Sequence, residues 1–312
     1  MRWLVTLAVV AAAGYVAAAG WLLHRGAEAL LTVGEISALV APAQPETDPL
    51  VLGFRGDPEA ALGLAFQVWT VETPLGPAEA WYVPGTRADL AAVYVHGVAG
   101  AREDGYRHLA MLAEAGVPVL LISYRNDPAA PAAPSGRYAM GLTEWEDLEA
   151  GVAAMVAQGH DRLLLVGESM GGAIVGQFLR RSPLAEHVAA VALDAPAVDF
   201  GAVLAHLAAA RGLPAPQAVG WAALGWLELR GPDPLRAARV LDVLAGFGGP
   251  LFVAHGAGDR IVPVETTTQL LAARRGVTHH LRTQADHLQS WHAAPEAYRA
   301  AFTGFLATLE AP

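Results

Sequence analysis

The chain opens on an unbroken apolar stretch and changes character twice after it. Residues 3–23 carry no charge over 21 positions and are bounded by Arg2 on one side and His24-Arg25 on the other. As a helix this run is about 30 Å long, the thickness of a bilayer's hydrocarbon core. Residues 26–62 mix short apolar pieces with Pro42, Pro45, Pro49, Gly53 and Gly56 and hold no period, which predicts a linker that becomes a docking arm. From about Ala65 the pattern becomes regular. Residues 65–71 and 78–83 alternate around 74–77, a hairpin signal. Continuous apolar runs then recur at 91–95, 117–123, 163–166, 188–193 and 250–254, separated by helical stretches at 106–114, 143–157 and 172–181. Strands without alternation, spaced by amphipathic helices, predict an α/β architecture over 63–312: a mostly parallel sheet with helices on both faces. Between 196 and 249 no strand signal occurs, and Ala, Leu and Trp are punctuated by Gly212, Pro214, Pro216 and Gly231-Pro232-Asp233-Pro234. This predicts an inserted helical piece, either a cap over a site or an enlarged pair of sheet-covering helices.

Two readings compete for residues 1–25. The run is longer than the apolar region of an ordinary secretory signal, which favours an uncleaved transmembrane anchor; Ala17-Ala18-Ala19 also fits a small-residue cleavage site. Arg2 and the amino terminus face only His24 and Arg25 across the segment, so flanking charge orients it weakly. The expectation is a single-pass membrane protein with its folded domain outside the cytoplasm, the alternative being secretion after cleavage.

Composition removes several chemistries. There are 30 acidic residues against 20 basic ones, a formal charge of −10, and no basic stripe of the kind a nucleic-acid partner requires. All 20 basic residues are arginine, which excludes Schiff-base and serine-lysine mechanisms. The absence of cysteine removes thiol nucleophiles and disulfides. Neither metal-ligand spacing nor a phosphate loop gives reason to expect a cofactor.

Gly167-Glu168-Ser169-Met170-Gly171-Gly172 follows one apolar run and leads into a helical stretch. Strand, sharp turn carrying serine, and helix are the surroundings of a G-x-S-x-G nucleophile elbow, whose flanking glycines let a strained turn pass close to its neighbours. A serine hydroxyl needs a base to take its proton, a third group to fix that base, and amides to hold the developing oxyanion. His96-Gly97-Val98-Ala99-Gly100 follows the 91–95 strand, so the amide of Val98, with that of Met170, is expected to serve the oxyanion. Asp259 emerges in a glycine-rich turn past the 250–254 strand as the orienting carboxylate, with Asp194 as the rival one strand earlier. Four histidines lie downstream, His279, His280, His287 and His292, and only His287 falls in a loop just beyond a strand. Gly97 beside the serine, and Trp221 and Trp226 in the inserted piece, are expected to contact substrate.

On these motifs the chain resembles the α/β-hydrolase superfamily from roughly residue 65 to 309, and more closely its bacterial membrane-anchored or exported esterase-like members, in which Glu144 to Asp147 and Ser290-Trp291 are also familiar. The resemblance implies a serine hydrolase of carboxylic esters with Ser169, Asp259 and His287 as triad, acting on a small-molecule ester. One departure is Tyr124-Arg125-Asn126-Asp127-Pro128, which lacks the glycine-rich continuation of many relatives. An aminopeptidase or amidase of the same fold is the enzymatic alternative; it would need a carboxylate in the inserted piece, and between Phe200 and Leu241 the acids are Glu228 and Asp233. A non-catalytic, membrane-tethered module is the alternative from another class.

Overall fold

The computed structural model describes residues 1–36 and 46–310; the part of the predicted arm at 37–45, with Pro42 and Pro45, lies outside the described residues. In chain order the helices are α1 (Arg2–Leu31), α2 (Pro58–Leu62), α3 (Tyr106–Glu114), α4 (Trp145–Ala157), α5 (Met170–Arg181), α6 (Phe200–Ala210), α7 (Pro216–Arg230), α8 (Leu241–Gly246), α9 (Val264–Ala273), α10 (Ser290–Ala293) and α11 (Pro295–Ala307). The strands are β1 (Gln67–Thr73), β2 (Gly76–Val83), β3 (Ala91–Val95), β4 (Val119–Ile122), β5 (Leu163–Glu168), β6 (Val188–Asp194), β7 (Leu251–Gly256) and β8 (Thr278–Thr283).

All eight strands form one sheet in the order β1-β2-β4-β3-β5-β6-β7-β8. The β1–β2 hairpin turns on Pro74-Leu75, and β2 runs antiparallel to β4; every later pairing is parallel. The apolar runs are continuous because both faces are buried. In β3, Ala91, Val93 and Val95 enter the core under α4 and α5, while Ala92 and Tyr94 enter the core under α3 and α11. Val95 pairs with Gly167 and Glu168 with Asp194, so the turns after β3, β5 and β6 emerge along one carboxyl edge.

The N-terminal helix does not stop where the apolar run ends. α1 continues without a break to Leu31, because Ala27, Ala29, Leu30 and Leu31 are good helix formers and His24-Arg25 does not end it. Its two halves differ. The first is exposed on all sides, whereas Ala19, Gly20, Leu23, His24, Ala27 and Leu31 are buried against the domain. α1 is also long and apolar enough to cross a membrane. A side chain at Gly20 would come within 2.5 Å of the Ala222 side chain, so this glycine is what lets α1 and α7 touch. The stretch 196–249 holds α6, α7 and α8, and α6 and α7 sit against the docked half of α1.

Candidate active site

The turn between β5 and α5 holds Ser169 at φ 50°, ψ −115°, a conformation that L-residues adopt only under strain. The neighbouring glycines make this turn passable. A Cβ on Gly167 would lie 2.8 Å from the Gly171 backbone, and one on Gly171 would lie 2.3 Å from the Val95 carbonyl oxygen. Ser169 stands at the start of α5, where amide N–H groups lack helical acceptors.

The Ser169 hydroxyl donates to His287 Nε2 at 2.9 Å, and His287 Nδ1–H donates to Asp259 Oδ2 at 2.7 Å. The carboxylate is itself fixed. Oδ1 accepts from the N–H groups of Ile261 and Val262, both at 2.8 Å, which turns Oδ2 toward His287 and toward a second imidazole, His255, at 3.1 Å. Burial alone would raise the Asp259 carboxyl. The hydrogen bonds from His255 and His287 and the His287 charge outweigh it and hold the group well below the usual carboxylate range. His287 lies past β8 in a loop tied to the acid loop, since Asp286 accepts from the Arg260 backbone N–H at 3.0 Å and from its side chain at 2.6 Å.

Under the turn after β3 lies a buried brace. His96 is fully buried, with Nδ1 2.8 Å from the Gly97 carbonyl and Nε2 2.8 Å from Asp127 Oδ2, and its ring stacks on Tyr124 with centroids 4.2 Å apart. Both neighbours are acceptors, an arrangement that favours a proton on each ring nitrogen. Burial opposes this charge, but Asp127 more than compensates and His96 sits above its ordinary value. The Gly97 carbonyl also accepts from the Tyr124 hydroxyl at 2.8 Å and the Gly100 N–H at 3.1 Å. In a trans peptide the carbonyl and the following N–H point in opposite directions, so holding Gly97 C=O here turns the Val98 N–H away from the brace. Among the described residues neither the Val98 nor the Met170 N–H has a hydrogen-bond acceptor.

Above Ser169 is a cavity of about 470 Å³, bordered by Gly97, Val98, Met170 and His287 and walled by Leu30, Leu31, Ile36, Leu52, Phe200 and Val203. Arg55 and Asp104, paired at 2.9 Å, supply charge on its wall. No cluster of metal-ligating side chains is found among the described residues.

No protein-family model and no curated protein sequence matches the chain. Solved structures do. An esterase from Pyrococcus furiosus superposes with a TM-score of 0.65 at 18% identity, over 86% of this chain and 99% of its own. A thermophilic esterase from Thermogutta terrifontis gives 0.57 at 18% identity, over 78% and 100%. A membrane phospholipase A described as a bacterial virulence factor gives 0.58 at 18% identity, over 78% and 86%. The chain has the α/β-hydrolase fold.

Within that fold Ser169, His287 and Asp259 meet at the carboxyl edge, and Asp194 is directed elsewhere. Its side chain is buried on the opposite side, 3.3 Å from Arg107 and 3.0 Å from the Tyr298 hydroxyl, and only its backbone carbonyl reaches the elbow, accepting from Ser169 N–H at 2.9 Å. Arg107 also pairs with Glu168 at 2.7 Å; burial alone would raise that carboxyl, and Arg107 and His108 bring it below its ordinary value. Trp221 and Trp226, expected to contact substrate, are not in the cavity lining. α7 turns Val219, Ala223, Leu224 and Leu227 inward, which leaves Trp221 half exposed and Trp226 donating from its indole to the Ala17 carbonyl at 3.2 Å. The insertion meets the cavity through α6 instead, by Phe200 and Val203. Asp127, Tyr124 and His255 carry no local signal of their placement: Asp127 and His96 are 31 residues apart, on turns after different strands.

Proposed function

We propose that the protein is a membrane-anchored serine hydrolase that cleaves carboxylic esters through an acyl-enzyme intermediate. The observation that carries this reading is the continuous hydrogen-bond path from Ser169 through His287 to Asp259 beneath an apolar cavity. As Ser169 Oγ attacks the ester carbonyl, its proton passes to His287 Nε2, and Asp259 stabilises the imidazolium that forms. The carbonyl oxygen takes up negative charge between the Val98 and Met170 N–H groups, the latter at the positive end of α5. Collapse of the tetrahedral species expels the alcohol, which takes the proton from His287. A water then enters, gives its proton to His287 and attacks the acyl carbon; breakdown releases the acid and returns the proton to Ser169.

The structural neighbours named as esterases support ester cleavage. A peptidase would grip a free amine with an acid of the inserted piece, but Asp199, Glu228 and Asp242 are engaged by Arg239, Arg236 and Arg180, and neither these three nor Asp233 lines the cavity. For the anchor, support comes from contacts on the N-terminal side of any cut at residues 17–19: Tyr15 donates to the Pro214 carbonyl at 3.1 Å and Trp226 to that of Ala17.

The test is labelling of the full-length protein with a fluorophosphonate, mapping of the adduct by mass spectrometry, and turnover of short p-nitrophenyl esters. The adduct should sit on Ser169, and Ser169→Ala or His287→Ala should lower turnover on the order of a millionfold while the fold persists. More than a tenth of wild-type turnover in either folded variant would overturn the assignment.

A further inference from the structure

The exposed length of α1 is too short to cross a bilayer alone. Residues 2–14 are all exposed, and contact with the domain begins at Tyr15; at 1.5 Å per residue the free part is about 20 Å long, against about 30 Å of hydrocarbon. The whole uncharged run, residues 3–23, is needed to span. Because α1 is one unbroken helix, whatever packs on residues 15–23 is carried to the same depth. That is the tip of the inserted piece: Pro214, Ala222 and Trp226 touch Tyr15, Gly20 and Ala17.

The residues presented there suit a lipid interface. The Trp21 and Trp226 rings meet edge to face with centroids 5.2 Å apart, Trp221 is 49% exposed, and Leu22 and Leu229 are more than 70% exposed. Tyr and Trp favour the headgroup level, where one end of the side chain is wet and the other apolar. Exposed Arg25 and Arg230 lie at the end of the patch next to residues 21–25, and the Arg230 guanidinium lies 5.3 Å from the Trp21 ring centre, placing cations where phosphates would be.

We infer that the tip of the insertion, residues 214–226 with Trp21, is a second membrane contact, seated in the lipid interface and the adjoining outer hydrocarbon beside the span. This rests on the anchor reading above. The occupant is the bilayer itself, because the helix that enters it emerges directly from this patch. The two tryptophans thus serve lipid contact and not acyl selection.

The chain has no cysteine, so single cysteines can be labelled uniquely. In full-length protein reconstituted into phosphatidylcholine vesicles, an NBD fluorophore would be placed in turn at Trp221→Cys, at the exposed helical Ala218→Cys, at Val9→Cys within the span, and at Val277→Cys, which is 57% exposed at the opposite edge of the sheet. Ala218→Cys alters no packed side chain and guards against misfolding at Trp221. Labels at 218 and 221 should lose quenching by aqueous iodide and gain quenching by lipids carrying a nitroxide near the headgroup, while the label at 277 keeps its iodide quenching. If position 9 is shielded by lipid but 218 and 221 stay as open to iodide as 277, the interfacial contact is refuted and the anchor stands. If position 9 is also open to iodide, the anchor reading fails and the inference with it.

Discussion

Substituting Gly171 by alanine tests the elbow without touching any group proposed to react. The new Cβ would stand 2.3 Å from the Val95 carbonyl oxygen, 2.8 Å from that of His96 and 3.0 Å from the Val95 carbonyl carbon. These are backbone atoms at the end of β3, and no rotamer change relieves them. A carbon and an oxygen need somewhat over 3 Å, so α5 and the end of β3 must part by nearly 1 Å. Overpacking of this kind costs about 1–3 kcal/mol. The larger effect concerns geometry, because the displaced segments carry the two amides assigned to the oxyanion, Met170 on α5 and Val98 after β3. A misplacement near 1 Å costs on the order of a hundredfold in rate. Gly171→Ala should therefore unfold at lower temperature than wild type and lose about two orders of magnitude in kcat on p-nitrophenyl butyrate, with KM little changed. Gly304→Ala, in α11 with nothing within 4 Å of the new methyl, should leave kcat unchanged and raise stability by roughly 0.5–1 kcal/mol. Wild-type kcat and melting temperature in Gly171→Ala would refute the steric account of the turn.

Asp259→Asn should cost several orders of magnitude in kcat and Asp194→Asn should leave the imidazole chemistry intact, measured as kcat/KM beside circular dichroism. Because the Asp259 pKa is lowered in the fold, the carboxylate adds stability above its unfolded value near 4, and that contribution is lost as pH falls through the lowered folded value; the melting-temperature gap between wild type and Asp259→Asn should be full at pH 7 and shrink in strong acid. His96 has the opposite sign: its raised pKa gives stability that is complete below an unfolded value near 6.5 and is lost as pH rises through the folded one. Asp127→Asn should consequently lower kcat about a hundredfold with KM retained, as for loss of one oxyanion donor, with a stability deficit that narrows in alkali. On acetyl through octanoyl esters, kcat/KM should rise up to about fourfold per methylene until the cavity is full; Phe200→Ala or Val203→Ala should move the optimum to longer chains and Trp221→Ala should not.

The parts of the fold legible in the sequence were those decided by burial on both faces. The run 91–95 is β3 and 106–114 is α3 because neither offers an alternative period that would bury its apolar positions. Ser169 and His287 were legible for a related reason: each follows a strand whose end is marked by the loss of the apolar run. The choice between Asp259 and Asp194 was open, since both end strands, and only the side to which each carboxylate turns separates them. The brace at His96 depends on a tertiary encounter with Asp127 and Tyr124, on the loop whose sequence departs from the expected glycine-rich form. There the missing flexibility is replaced by side-chain contacts, with Asp147 accepting from the Arg125 backbone and guanidinium at 2.9 and 2.7 Å.

The tryptophans and the end of α1 escaped the sequence for one shared reason. An amphipathic pattern shows that a helix has two faces but not which neighbour each face meets, and His24-Arg25 resembled a boundary because charge ordinarily marks the edge of an apolar span. His24 is in fact buried against Trp21 and Trp226, so the helix passes through that pair while still docked. Two turns further on, Leu30 and Leu31 form part of the cavity wall above Ser169. The proposed anchor and the proposed acyl site are therefore built on one rigid element. A cut near residue 20 would leave that wall in place but remove the Ala17 carbonyl from Trp226 and Tyr15 from Pro214. A cut after residue 25 would also strip Ala19, Leu23 and His24 from the inserted helices. Deleting residues 2–14 is the truncation that keeps every one of these contacts; it should yield an active protein that carbonate releases from membranes, whereas deletion through residue 25 should lose stability along with the anchor.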